Sequence, residues 1–148
     1  MFRYLFLSLL VLALPAAAQS VVDGDTIKLN GTTYRLWGID AAESHQSCAD
    51  GWPAGTEATK ALAGLMASKT IACEAKTTDR YGRTVAICRA NGQDLGAAMV
   101  RDGMAWAFTR YSSDYAVEER EALRLGLGVH KHQCEKPWDW RSRSRGDR

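Results

Sequence analysis

Residues 26–39 read TIKLNGTTYRLWGI, two runs of strand-forming residues on either side of Asn30-Gly31. A tight hairpin turn needs two successive positive-φ positions, and glycine and asparagine reach that region at the least steric cost. The two runs are therefore expected to pair as an antiparallel hairpin. On its N-terminal side, Val21-Val22 and Asp23-Gly24-Asp25 give a short first strand ending in a turn. On its C-terminal side, the second run carries Arg35 and sets Asp40 and Glu43 just past its last apolar residues.

Farther along, Ala58, Ala61, Leu62, Leu65 and Met66 recur at i, i+3, i+4, i+7 and i+8, which predicts an amphipathic helix from about Gly55 to Ser68. Thr70–Ala75 and Thr84–Arg89 read as strands joined by the polar loop KTTDRYGR, and Asn91-Gly92 closes the second. Leu95, Ala98 and Met99 mark a short helix stopping at Gly103. Asp114 is placed to cap a third helix through YAVEEREALRLGLG, with Ala116, Leu123 and Leu127 as its apolar stripe. Short strands with a helix after the third predict an α+β fold, a small five-stranded OB-type Greek-key β-barrel with about three helices.

The first residues, MFRYLFLSLLVLALPAAAQS, combine one arginine, an apolar run from Leu5 to Leu14, then Pro15 and three alanines. They read as a secretory signal peptide over residues 1–18, its apolar run too short to span a bilayer. A single domain over residues 19–140 and an Arg/Ser tail over residues 141–148, expected to be disordered, complete the chain. About 130 residues after the leader suffice for one core but not two. The chain carries 19 lysines and arginines against 17 acidic residues, but Arg3 and the tail arginines 141, 143, 145 and 148 lie outside the body. The body is thus slightly acidic, and a grip on a polyanion must come from a local basic patch or the tail. Four cysteines in an oxidising compartment imply two disulfides, with three connectivities open to spacing alone.

Three polar segments fall at strand ends or loops: VVDGDTI with Asp23 and Asp25, YRLWGIDAAES with Arg35, Asp40 and Glu43, and DRYGR with Asp79, Arg80, Tyr81 and Arg83. Each alone is an ordinary turn. Together they hold what phosphodiester cleavage requires: oxygen donors for a divalent cation, guanidinium forks for phosphate, and a carboxylate left to direct water. Ca²⁺ suits carboxylates from separate segments because it accepts loose oxygen geometry.

These motifs, with AAMVRDGMAWA and EREALRLGLG, resemble the thermonuclease (staphylococcal nuclease) family over roughly Val21 to Gly128. The resemblance implies that Asp25 and Asp40 bind Ca²⁺ together with the Ala41 backbone carbonyl, with Asp23 behind them. It assigns Glu43 to the attacking water, Arg35 and Arg83 to the scissile phosphate, and Arg80, Tyr81 and Tyr111 to substrate binding. The implied reaction is Ca²⁺-dependent hydrolysis of DNA and RNA, single strands favoured, leaving 3′-phosphate ends. A monomer, secreted or periplasmic and without stable membrane association, is expected. Two departures stand out: Ala42 replaces the family's proline between the aspartate and Glu43, and only Gln19 to Val22 precede the DGD turn as a first strand.

On adjacent core-facing strands, Cys73 is expected to join Cys88, which leaves Cys48 for Cys134. A sharper alternative gathers Cys48 and Cys134 with His45, His130 and His132 into a Cys₂His₂ zinc site. Two other function classes compete with the enzyme. A non-catalytic single-strand-binding OB module needs no general base beside a metal, and a secreted metal-stabilised structural domain leaves both arginines unexplained.

Overall fold

The computed structural model describes residues 18–146, so all of the expected leader but Ala18 lies outside the described residues. In chain order the first half contains β1 (Gln19–Asp23), β2 (Thr26–Leu29), β3 (Thr32–Leu36), β4 (Ile39–Ala41) and α1 (Ala54–Met66). The second half contains β5 (Ile71–Thr78), β6 (Thr84–Ala90), β7 (Gln93–Asp94), α2 (Leu95–Arg101), β8 (Ala105–Ala107), α3 (Ala116–Leu125), a 3-10 turn (Gly128–His130) and α4 (Pro137–Gly146).

The hairpin forms as its sequence dictates: β2 pairs antiparallel with β3, and the turn residues Asn30 and Gly31 have φ of 49° and 84°. β1 pairs antiparallel with β2, β6 lies parallel beside β3, and β5 lies antiparallel beside β6. The result is a mixed sheet in the order β1-β2-β3-β6-β5, with β7 also on β6.

This sheet does not close. Among the described residues the expected five-stranded barrel with three helices is replaced by a six-stranded sheet, a separate two-stranded ribbon of β4 and β8, and four α-helices. The physical cause lies at the two edges. β1 has only five residues and shifts register between Val21 and Asp23, while residues 74–78 of β5 are exposed. Closing a barrel would require the two edges to pair, and among the described residues no pairing joins β1 to β5. The second hairpin run also divides, because a Trp37-Gly38 turn ends β3 at Leu36 and sends Ile39–Ala41 to pair with Ala105–Ala107.

Ile27, Leu36, Ile39, Leu62, Leu95 and Met99 are at most 2% exposed and form the main core between sheet and helices. α1 contributes Ala58, Leu62 and Met66 at four-residue spacing, each large apolar side chain stabilising by about 1.5–3 kcal/mol on full burial. A second cluster of Ala42, Cys48, Ala54, Trp106 and Val129 lies around the segment that carries Glu43, with Trp138 packed against it.

Two helix expectations change. Tyr115, not Asp114, precedes α3, while Asp114 accepts the Trp37 indole N–H at 2.9 Å; Ala122 is the buried residue of α3 and Leu123 is exposed. The tail expected to be disordered is helical through residues 141–146, as part of α4. That helix begins at Pro137, whose missing N–H costs a first helical turn nothing, and Trp138 packs on Phe108 with ring centroids 5.3 Å apart.

Disulfides join Cys73 to Cys88, directly opposite one another on β5 and β6, and Cys48 to Cys134, 86 residues apart in sequence. With both cysteines in that second bond, the Cys₂His₂ zinc alternative loses its thiolates. His132 instead stacks on Trp52 at 4.4 Å and meets Asp50 at 2.6 Å.

Candidate active site

The DGD turn that links β1 and β2 packs tightly against two other elements. A Cβ on Gly24 would lie 2.6 Å from that of Ala58 and 2.8 Å from that of Ala41, so only glycine lets the turn approach α1 and β4 together. This approach buries Asp25, 4% exposed, where its Oδ2 accepts the Ala41 N–H at 3.0 Å and its Oδ1 accepts the Thr26 hydroxyl at 2.9 Å. Asp40, in the middle of β4, is fully buried.

Arg35 projects from β3 between these two aspartates. One arm of its guanidinium pairs with Asp25 Oδ1, and Nη2 donates to Asp40 Oδ1 at 2.9 Å. Burial opposes the charge of Asp25, yet the Arg35 guanidinium, the Ala41 amide and the Thr26 hydroxyl hold its carboxyl below the usual range. Burial, helped by repulsion from Asp25, pushes the Asp23 carboxyl up to about 6. Burial also raises Asp40, with Asp25 adding to it and Arg141 and Arg35 opposing.

Glu43 lies just beyond β4 in a segment fixed from two sides. A Cβ on Gly55 would collide with the Glu43 carbonyl oxygen, so the start of α1 can lie against this backbone only as glycine. Gln46, 1% exposed, accepts the Glu43 N–H through Oε1 at 3.1 Å and donates from Nε2 to the Glu135 carbonyl at 2.7 Å. The Glu43 carboxylate accepts Arg141 Nη1 at 2.7 Å, and Arg141 Nη2 donates to Asp40 Oδ2 at the same distance.

The wall of the site comes from DRYGR and the chain after β8. Asp79 organises the loop, accepting the Tyr81 and Arg83 N–H groups at 2.9 and 3.0 Å and Arg83 Nε at 2.7 Å. Arg80 and Arg83 lie over the Tyr81 ring at 4.8 and 5.5 Å. Tyr81 and Tyr111 are 68% and 72% exposed, and Tyr111 packs beside Phe108 at 5.0 Å. Floor and wall enclose a cleft of about 920 Å³.

Asp25, Arg35, Ala41, Asp40 and Glu43 are thus brought into one bonded cluster, with Asp23 beside it. Arg80, Tyr81, Arg83 and Tyr111 line the same cleft without joining that cluster's ion pairs. Sequence reasoning passed over Gln46 and Arg141. The signal for Arg141 was KPWDWR, a helix-opening proline followed by a tryptophan and an arginine three residues apart, which places both on one helix face.

The model of the family described as "Staphylococcal nuclease homologue" matches residues 33–128, well over half of the chain. The protein belongs to the staphylococcal nuclease family. Its relatives in that family include a micrococcal nuclease of Shigella flexneri, 34% identical over 92% of this chain and 88% of its own. Protein ParB of Escherichia coli is 35% identical over 96% and 90%, and an uncharacterized endonuclease of Haemophilus influenzae is 33% identical over 82% and 69%. As a member of the staphylococcal nuclease family, the protein is an endonuclease that hydrolyses phosphodiester bonds of nucleic acids. Asp25 on one side and Arg141 on the other fall outside the matched residues 33–128, although both are bonded to the cluster within them.

Proposed function

We propose that the protein is an exported, Ca²⁺-dependent nuclease that cleaves DNA and RNA, single strands preferentially, and leaves 3′-phosphate and 5′-hydroxyl ends. The observation that carries this reading is the imbalance at the cleft floor. Three carboxylates, those of Asp25, Asp40 and Glu43, pair with two guanidinium groups, those of Arg35 and Arg141, and a fourth, that of Asp23, accepts the Asp25 N–H beside them. Hard oxygen donors in surplus negative charge are the chemistry that a divalent cation of the calcium type takes, although among the described residues no three such side chains are grouped to hold an ion as they stand. Asp25 and Asp40, with the Ala41 carbonyl, would hold it, and Asp23 would support Asp25 from behind. When bound, Ca²⁺ supplies Lewis-acid stabilisation of the charge that builds on the phosphate.

Glu43 accepts a proton from the attacking water as its oxygen bonds to phosphorus. The bond from phosphorus to the 5′ oxygen breaks, and that oxygen takes a proton from solvent water to leave as the 5′-hydroxyl, while Glu43 returns its proton to solvent. Arg35 and Arg83 would donate N–H groups to the phosphate oxygens and so stabilise the charge of the transition state. Tyr81 and Tyr111, exposed along the wall beside Arg80, offer ring faces to unpaired bases, which favours single strands. The two disulfides support an oxidising compartment, reached through the leader over residues 1–18 and occupied as a monomer. Among the described residues no helix is long and apolar enough to cross a membrane.

The test is degradation of single-stranded DNA by the oxidised protein from Gln19 onward, with calcium and then with EGTA, followed by identification of the ends. Cleavage that stops on chelation and leaves 3′-phosphates is expected. Binding without cleavage would favour a non-catalytic binding module, and cleavage indifferent to EGTA would exclude the calcium reading.

A further inference from the structure

We propose that Arg141 is a positioning residue of the cleavage reaction, a guanidinium fork that locks the carboxylate of Glu43 against Asp40. The proposal rests on the role given above to Glu43. That side chain stands outside any strand, half-exposed, on a segment where Ala42 leaves the turn less stiff than a proline would. A glutamate free to rotate about its side-chain bonds would spend little time aimed at a water. Arg141 removes that freedom: its Nη1 is shared between Glu43 Oε1 at 2.7 Å and Asp40 Oδ1 at 3.3 Å, while Nη2 holds Asp40 Oδ2 at 2.7 Å. A planar guanidinium grips two carboxylates at once in fixed geometry, which the point charge of a lysine cannot do.

The fork is itself held. α4 opens on the buried Pro137, and Trp138 packs on Phe108 one turn before Arg141. Just upstream, Cys134 is bonded to Cys48, and the Glu135 carbonyl accepts from Gln46, the same buried amide that accepts the Glu43 N–H. The chain before α4 and the Glu43 segment are therefore tied together at the backbone as well as through Arg141. A positioning group of this kind acts on turnover more than on substrate affinity, and loss of such an outer partner typically costs about 10- to 100-fold.

A second consequence separates this role from a merely structural one. Arg141 and a cation draw on the same carboxylate of Asp40, and their like charges repel, so the guanidinium weakens cation binding while it aligns Glu43. Removing it should make calcium bind more tightly and the enzyme turn over more slowly.

The experiment compares wild type, Arg141→Gln and Arg141→Lys as oxidised protein from Gln19 onward. It measures kcat and KM on single-stranded DNA, calcium affinity by calorimetry without substrate, and thermal midpoint. For Arg141→Gln, kcat should fall about 10- to 100-fold with KM within about 3-fold, and calcium should bind at least about 3-fold more tightly. Arg141→Lys keeps the charge without the fork, so its calcium affinity should stay near that of wild type while kcat remains low. Unchanged kcat, a rise in KM alone, or a joint fall of calcium affinity and thermal midpoint would each overturn the proposal. An absence of calcium binding in wild type would instead count against the calcium reading, and the kcat comparison under whichever ion supports cleavage would still decide the role of Arg141.

Discussion

The floor and the wall of the cleft are built on opposite principles. On the floor, Asp25 and Asp40 are almost wholly removed from water, and Arg35 and Arg141 reach them from separate elements, β3 and α4. On the wall, Arg83 is held by Asp79, four residues away in its own loop, and Tyr81 and Tyr111 stand mostly in solvent. The floor owes its geometry to the whole fold, the wall to local loop chemistry. Under the proposed function, a preorganised floor would suit the reacting atoms, whose placement must be tight, and an adaptable wall would suit a flexible single strand.

This contrast can be broken by mutation, and the largest effect is expected on the floor. Arg35→Ala leaves two buried carboxylates facing each other without that counter-charge, a change that typically costs about 3–5 kcal/mol. Urea unfolding should show this loss of stability together with a loss of activity, and an unfolding midpoint equal to that of wild type would contradict the burial argument. Arg83→Ala should separate the two quantities. Its ion pair is local and partly exposed, so stability should change by no more than about 1 kcal/mol. Turnover should nevertheless fall about 10²- to 10³-fold through loss of one transition-state donor. If instead Arg83→Ala unfolds the protein as readily as Arg35→Ala, the distinction between floor and wall disappears.

What the sequence disclosed follows the same division between local and distant causes. The Asn30-Gly31 hairpin, α1 from its apolar spacing, and α2 ending before Gly103 all rest on signals within a few residues and appear as read. The open sheet was harder to see, because closure depends on whether two edges distant in sequence can meet, and among the described residues β1 and β5 do not pair. The β4–β8 ribbon is similar: three residues on each side, paired across more than sixty positions, carry no period of their own. At the site, Asp25, Arg35, Asp40 and Glu43 were visible as a chemical set in short motifs. Arg141 was not, since its arginine-rich surroundings read as a solvated tail until Pro137 and Trp138 were seen to seat that segment against Phe108 and the disulfide. Composition suggested a solvated tail, and packing overrode it.

The most direct test of the central claim, that the cleft floor carries the chemistry, is single-turnover cleavage of a defined single-stranded DNA by Glu43→Gln at saturating calcium, with substrate binding measured alongside. The amide keeps the size of the side chain and loses the base. The rate should fall about 10²- to 10⁴-fold while DNA affinity is retained. Cleavage at the wild-type rate would remove Glu43 from the mechanism and, with it, the reason for Arg141 to hold it.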